Sequence, residues 1–288
     1  MSDFSNSVLG VTGASGPLAR TVIANLKARG AKKIVAVTRD LGKIADIDGV
    51  EARAGDFSKP ETLSGAFKGI DRLLIVSATG LGVRIAGHIA AIDAAERADV
   101  SHLLYTSIAS PYPHALHGIQ NDHFWTEARL FQTKGGWTAL RDNLYADYTV
   151  WGARDTINSG QLFHSAGNGR RAIVFRDDLA ATAAGALLTA TGQEIVDVSG
   201  PEALSYPEIA DILSRVGGKP VRAVDISFDA QVDGLVKAGL PAVDAQAIAG
   251  LDVAAKRGSI AILGDGVQRF AGRDPLSLEA ALQEALKT

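Results

Sequence analysis

Gly13, Gly16 and Ala19 recur at intervals of three behind an apolar, β-branched run that begins at Val8. Leu18, Val22, Ile23 and Leu26 then fall on one face of a helix. Strand, glycine turn and helix, in that order, are the context in which such a turn holds a dinucleotide. Gly13 suits the tight turn. Gly16 lets the backbone approach a pyrophosphate resting on the unpaired N–H groups of the helix start, and Ala19 is small enough for helix–strand packing. The expected pyrophosphate site is Gly13, Ser15, Gly16, Pro17 and Leu18.

Other strand ends carry polar or small residues in the same way. Lys33 to Thr38 reads as a second strand, followed by Arg39 and Asp40. An acid at this end would bind the ribose 2′-hydroxyl of NAD. Thr38 stands there instead, and Arg39 beside it suits the 2′-phosphate of NADP, with Lys43 able to add to the site. Asp40 is then a cap for the next helix. Val50 to Ala54 leads into Gly55-Asp56-Phe57, and Ser58-Lys59-Pro60-Glu61 reads as a capping box. With Ser58 as the cap, Asp56 is left to reach an adenine amino group, with Phe57 beside it, or to hold a turn. Asp71 to Ser77 runs into Ser77-Ala78-Thr79-Gly80, small residues against which a nicotinamide ribose can lie. His102 to Ser107 ends in Thr106-Ser107. Ligands of an open parallel sheet bind outside the carboxyl ends of its strands, and Gly13, Arg39, Asp56, Ser77 and Ser107 all fall at such ends.

The elements that must position these residues alternate along 288 residues, 47% of them hydrophobic, with a net charge of -3. That is enough chain for a large core and a smaller second lobe. The charge balance makes no electrostatic case for nucleic acid. The absence of cysteine removes thiolate chemistry and disulfides. No run of eighteen apolar residues suggests a membrane span, and the polar start, Met1 to Ser7, lacks the core of a signal peptide. A cytoplasmic protein is the expectation. His114, His117 and His123 crowd one stretch with Asp122, but Pro111, Pro113 and Gly118 make it a connection that covers substrate rather than a metal site.

Together these stretches resemble the short-chain dehydrogenase/reductase superfamily, in its atypical, NmrA-like branch. The resemblance is carried by Val11-Thr12-Gly13-Ala14-Ser15-Gly16, Thr38-Arg39, Gly55-Asp56-Phe57, Thr106-Ser107 and Thr126-Glu127. It continues through Leu140-Arg141-Asp142-Asn143-Leu144-Tyr145, Arg176-Asp177-Asp178-Leu179-Ala180 and Phe270-Ala271-Gly272-Arg273-Asp274-Pro275, so it spans nearly the whole chain. Within the branch the chain is most similar to type 2 quinone oxidoreductases and triphenylmethane reductases. That resemblance implies a Rossmann-type, doubly wound α/β sheet, an NADP(H) cofactor and a small-molecule acceptor; a homodimer is one assembly open to the chain, and the sequence does not name the oligomeric state. It also suggests that Arg176-Asp177-Asp178 ties the smaller lobe to the rest.

The chain departs from the wider superfamily at its usual catalytic pair, Tyr-x-x-x-Lys. None of Tyr105, Tyr112, Tyr145, Tyr148 and Tyr206 is followed by lysine four residues on. Where the pair would fall stands His123-Phe124-Trp125-Thr126-Glu127. Hydride addition to a ketone makes a strongly basic alkoxide that needs a positioned acid. Addition to a quinone makes an aromatic oxyanion whose conjugate acid has a pKa of about 10, as in tyrosine, and water can protonate it. A site without Tyr-Lys therefore suits quinones. Candidate catalytic residues are His123, as a donor to the quinone oxygen or a histidine at the pocket rim, Tyr145, as stacking wall or substitute acid, and Ser107. The reading is an NADPH-dependent reductase of quinones or similar conjugated acceptors. The alternatives are an NADP(H)-sensing regulator without turnover, and a carbonyl reductase with a substitute acid.

In domain terms, 1–155 is expected to bind the dinucleotide, with about 176–200 returning to it. Residues 156–288 make a smaller, non-contiguous α+β substrate lobe. A second capping box, Ser205-Tyr206-Pro207-Glu208, opens a helix there that Gly217-Gly218 closes.

Overall fold

The computed structural model describes residues 3–78, 84–113 and 119–287. Strands β1 (Val8–Val11), β2 (Lys33–Thr38), β3 (Glu51–Ala54), β4 (Arg72–Ile75), β5 (His102–Ile108) and β6 (Gly136–Asp142) come in chain order. Between them run α1 (Pro17–Ala28), α2 (Leu63–Phe67), α3 (Arg84–Arg97) and α4 (Ile119–Leu130). There follow α5 (Asp147–Trp151), α6 (Ala153–Ser159), β7 (Gln161–His164), β8 (Arg170–Arg171), α7 (Arg176–Thr189) and β9 (Gln193–Val198). The chain ends with β10 (Leu204–Ser205), α8 (Tyr206–Gly217), β11 (Arg222–Asp225), α9 (Phe228–Lys237), α10 (Ala242–Lys256) and α11 (Leu278–Leu286).

Seven strands form one parallel sheet in the order β3-β2-β1-β4-β5-β6-β9. Both faces are covered, and all seven residues of β5 are buried, the polar His102, Thr106 and Ser107 among them. Alternate side chains serve opposite layers. Leu9, Val11, Leu104, Leu140 and Val196 pack with α1 and α7, while Val35, Leu73, Tyr105 and Ala139 pack with α2 and α3. Strand order reverses between β1 and β4, which opens a crevice at the carboxyl edge.

Buried Arg72 joins sheet to helix. Its guanidinium donates to the carbonyls of Leu187 (2.6 Å) and Ala190 (2.7 Å) at the end of α7, where the helix leaves carbonyls unpaired. Burial lowers its pKa to about 10, so it stays charged at neutral pH.

The rest of the chain has its own apolar cluster, in which Ile157, Ile209, Leu213, Leu278 and Leu282 pack together. Strands β7 and β11 pair in parallel beside it. The capping box at the start of α8 forms as its residues require, with Ser205 and Glu208 each bonding the other's backbone N–H. The box expected at Ser58 does not form. Asp56 Oδ1 instead accepts from the N–H (2.9 Å) and the hydroxyl (2.8 Å) of Ser58, and Lys59 opens a short 3-10 turn with no side-chain cap. The aspartate two residues before Ser58 makes the tighter local ring, so Ser58 serves as donor rather than cap. Asp178 of α7 pairs with Arg273 and accepts the N–H of Leu276 at 2.9 Å, which joins two stretches far apart in sequence.

Candidate functional site

The β1–α1 turn is built to receive an anion. Gly13 has φ +63, a conformation that favours glycine. Its carbonyl accepts the N–H of Gly16 at 2.8 Å, and a Cβ on Gly16 would sit 3.2 Å from that oxygen. No side chain caps α1, its first turn holds no acid, and Pro17 leads it. The leading N–H groups are therefore left for a ligand. Ser15 is half-buried at the turn and Leu18 is buried in the core below it. Two bonds brace the turn: Ala14 N–H donates to the Val37 carbonyl (3.0 Å), and Val76 N–H donates to the Thr12 hydroxyl (2.9 Å).

At the end of β2, Arg39 and Lys43 are both exposed. Among the described residues the Arg39 guanidinium has no hydrogen bond or ion pair. Asp40 is engaged elsewhere, accepting the N–H of Gly42 at 3.0 Å as the cap of the following 3-10 turn. Asp56 lies across from Arg39, and its carboxyl is held below the usual range by its bonds from Ser58, with the charges of Arg39 and Lys59 adding to this. Phe57 packs edge-on against His88, with centroids 6.1 Å apart.

At the ends of β4 and β5 the backbone is pinned by buried side chains. Ser77 N–H donates to the Thr106 hydroxyl at 2.8 Å, and Ala78 N–H donates to His88 Nε2 at 2.9 Å. Thr79 lies outside the described residues, as do His114 and His117. The Ala78 bond fixes the tautomer of His88. An N–H can only donate, so the proton of His88 is on Nδ1. It is directed at the Thr126 hydroxyl (3.1 Å), which itself donates to the Asp122 carbonyl (2.8 Å). The Tyr105 hydroxyl shares a bond of 2.6 Å with His123 Nδ1. Burial lowers the His88 pKa to about 4 and pushes that of His123 well below the ordinary histidine value. His123 is 4% exposed. It therefore carries no dischargeable imidazolium proton at neutral pH.

Glu127, one turn beyond His123, is equally committed. It accepts the Ser107 hydroxyl at 2.6 Å and two bonds from Arg141, of 3.0 and 2.7 Å. Ser107 and Arg141 are register partners on β5 and β6. Tyr145, just past β6, is half-buried; burial raises its pKa, so the phenol stays protonated. Its ring lies parallel to exposed Tyr148 at 6.3 Å, with the Arg176 guanidinium 5.3 Å from it. A cleft opens between Tyr112, Ile119 and Gln120 on one side and Leu251, Ala254 and Arg257 on the other. Gln120 lies one turn before His123 on α4. Tyr105, His88 and Arg141 escape a reading of the sequence because they act through partners 10 to 38 residues away. The one legible signal is a charged residue, Arg141, at the end of an apolar strand.

The family model described as NAD(P)H-binding matches residues 13–189, from the glycine turn to the end of α7. The chain belongs to that family. It shares its fold with the atypical, NmrA-like short-chain dehydrogenase/reductases. Quinone oxidoreductase 2 of Escherichia coli is 30% identical over 258 residues, covering 88% of this chain and 90% of that protein. The crystal structure of the E. coli NADPH-dependent quinone oxidoreductase complexed with NADPH superposes with a TM-score of 0.89 at 28% identity, over 96% of this chain and 99% of that one. Triphenylmethane reductase of Citrobacter sp. complexed with NADP(H) superposes with a TM-score of 0.87 at 31% identity, over 97% and 100%. Family membership and the uncapped glycine turn agree on an NAD(P)H cofactor. Among the described residues no cluster of three or more histidines and acids could hold a metal ion, and no helix is long and apolar enough to cross a membrane.

Proposed function

We propose that this protein is an NADPH-dependent reductase that passes hydride to a quinone or similar conjugated acceptor. One observation carries the reading. The two positions where the wider superfamily keeps its acid–base pair hold His123, whose pKa burial pushes down, and Glu127, which is ion-paired with Arg141. Such a site favours an acceptor whose reduced form is a weak base, and a quinone gives an aromatic oxyanion with a conjugate-acid pKa of about 10. The relatives named above, a quinone oxidoreductase and a dye reductase, support the same class of acceptor.

The cofactor fits the residues present. The open N-terminus of α1 with Gly13, Ser15, Gly16, Pro17 and Leu18 would hold a pyrophosphate. Arg39 and Lys43 would hold a 2′-phosphate, and Asp56 and Phe57 would flank the adenine. Ser77, Ala78 and Thr106 would face the nicotinamide ribose, and the bound nicotinamide supplies the hydride. What this chain contributes is positioning. His88 sets the Ala78 backbone, and the Ser107–Glu127–Arg141 set fixes the ends of β5 and β6 against α4. The same proposal divides the chain near residue 155, with 176–200 returning to the cofactor-binding part. Cytoplasmic residence and a homodimer belong to it as well, and are read by fractionation and size-exclusion chromatography.

The test is NADPH oxidation followed at about 340 nm, the absorbance of reduced nicotinamide. The panel holds a naphthoquinone, a cationic triphenylmethane dye and simple carbonyls. Turnover with the conjugated acceptors is expected. NADPH binding without oxidation of any acceptor would replace the proposal with a sensor.

A further inference from the structure

Strand β6 ends on an acid. Asp142 is 8% exposed, on the same face of the sheet as Leu140, and its backbone is fixed by register with Ile108 and Val198 and by the Ala109 N–H. Among the described residues its carboxyl oxygens meet no hydrogen-bond donor and no cation. Among the described residues three of the other four buried acids are treated differently, while Asp122 likewise leaves Oδ2 without a hydrogen bond. Glu127 is held by Arg141, Asp178 by Arg273, and Asp252 by Arg171, Tyr206, Gln231 and the Ser165 N–H. Three residues on, the Tyr145 hydroxyl also lacks a partner among the described residues. Two polar groups that act on each other electrostatically, both without a hydrogen-bond partner among the described residues, stand at the carboxyl edge where this fold binds ligands.

We propose that Asp142 is a proton donor to the reduced acceptor, and that it extends the enzyme's reach from quinones to conjugated aldehydes and ketones. This rests on the reductase reading above. Burial raises the Asp142 carboxyl well above the usual carboxylate range, which favours its protonated form. Tyr145 feels the Asp142 charge, and Asp147, Tyr148 and Arg176 of α7 are the other ionisable groups that act on Tyr145; Arg141 and Asp197 lie on the opposite face of the sheet from Asp142. Arg176 stands over the Tyr145 and Trp151 rings rather than pairing with Asp142, so it does not hold the carboxyl ionised.

The step balances as follows. Hydride and its electron pair move from NADPH to the carbonyl carbon, the C=O π pair becomes an alkoxide, and NADP+ is left. The Asp142 O–H bond breaks, its proton forms the alcohol, and the resulting carboxylate regains a proton from water. An alkoxide is about as basic as hydroxide, whose conjugate acid has a pKa of about 15.7, so this class needs an acid that a quinone does not. The burial that favours the protonated form of Asp142 also makes its anion costly, which draws the proton back between turnovers.

Steady-state NADPH oxidation with 2-methyl-1,4-naphthoquinone and with 4-nitrobenzaldehyde is measured on the whole chain between pH 5 and 10. NADPH affinity is read in parallel by nicotinamide fluorescence. For the unaltered protein the aldehyde rate is expected to fall about tenfold per pH unit once Asp142 ionises, while the quinone rate lacks that limb. In Asp142→Asn the aldehyde-to-quinone rate ratio is expected to fall at least ~30-fold, with the limb gone. A solvent deuterium isotope effect confined to the aldehyde reaction of the unaltered protein supports the same step without relying on the variant. An unchanged ratio in Asp142→Asn overturns the proposal, as does an aldehyde that is inert or a rate flat in pH. Failure of the quinone alone strikes the reductase reading and leaves the aldehyde limb to judge Asp142.

Discussion

The Ser107 hydroxyl donates to Glu127 Oε1 at 2.6 Å, and the same carboxylate takes two bonds from Arg141. Two neighbouring strand ends are thereby joined to α4 through one buried charge, 3% exposed at its side chain. Removing one partner of such a pair leaves the other uncompensated.

Glu127→Gln is therefore expected to cost about 3 kcal/mol of stability, because the half-buried Arg141 loses its main counter-charge. Arg141→Met should cost a similar amount. The double variant should recover part of the loss, since both charges are then gone. Urea midpoints for the four proteins check this; simple additivity would show that the pair does not couple.

Arg39 is an exposed cation with no partner among the described residues, so its removal should leave the fold untouched. Arg39→Ala is expected to weaken NADPH binding about tenfold or more while changing NADH binding little. Lys43→Ala should give a smaller change in the same direction. Fluorescence titration with both coenzymes reads the ratio; equal effects on the two would remove Arg39 from the 2′-phosphate site.

His88 and His102 are both buried, and burial lowers each pKa to about 4. The folded state thus resists a proton that the unfolded chain accepts at about 6.5. Their contribution to stability is full above pH 6.5 and is lost as pH falls toward 4, on the order of 3 kcal/mol for each. The melting temperature should drop steeply through that window. His102→Gln, which can keep a bond to the Thr138 hydroxyl, should flatten the slope by the share of one histidine. An unchanged slope would show that His102 accepts its proton without unfolding.

Much of this arrangement was legible from the chain alone, and the reason differs by residue. Gly13, Arg39, Ser77 and Ser107 could be placed because a parallel sheet sends every strand end to one edge, so local pattern is enough. Ser58 misled because two local rings compete there, and spacing alone does not say whether Asp56 or Ser58 takes the backbone N–H. His123 stood out by type, and its chemistry was hidden because it depends on Tyr105, a residue on another element that reads as core. Asp142 was hidden for the opposite reason. It looks like an ordinary loop acid until the structure shows that nothing in the described protein pairs with it.

The bond between Tyr105 and His123 gives a last test, because it separates a histidine that works through charge from one that works through shape. Tyr105 uses up Nδ1, and burial keeps the ring neutral. A catalytic imidazolium would impose a limb near pH 6.5 on turnover, whereas a neutral ring imposes none there. Quinone turnover is expected to be flat between pH 5.5 and 8 in the unaltered protein, values that lie well clear of the lowered pKa. Tyr105→Phe removes the partner of Nδ1 while keeping the ring, and should cost about 1–2 kcal/mol of stability because a buried polar group is left unmet. It should also raise KM for the acceptor more than it lowers kcat, since what slips is the placement of α4 over the end of β5. A limb near 6.5 that disappears in His123→Gln would instead show that the ring does gain a proton during turnover.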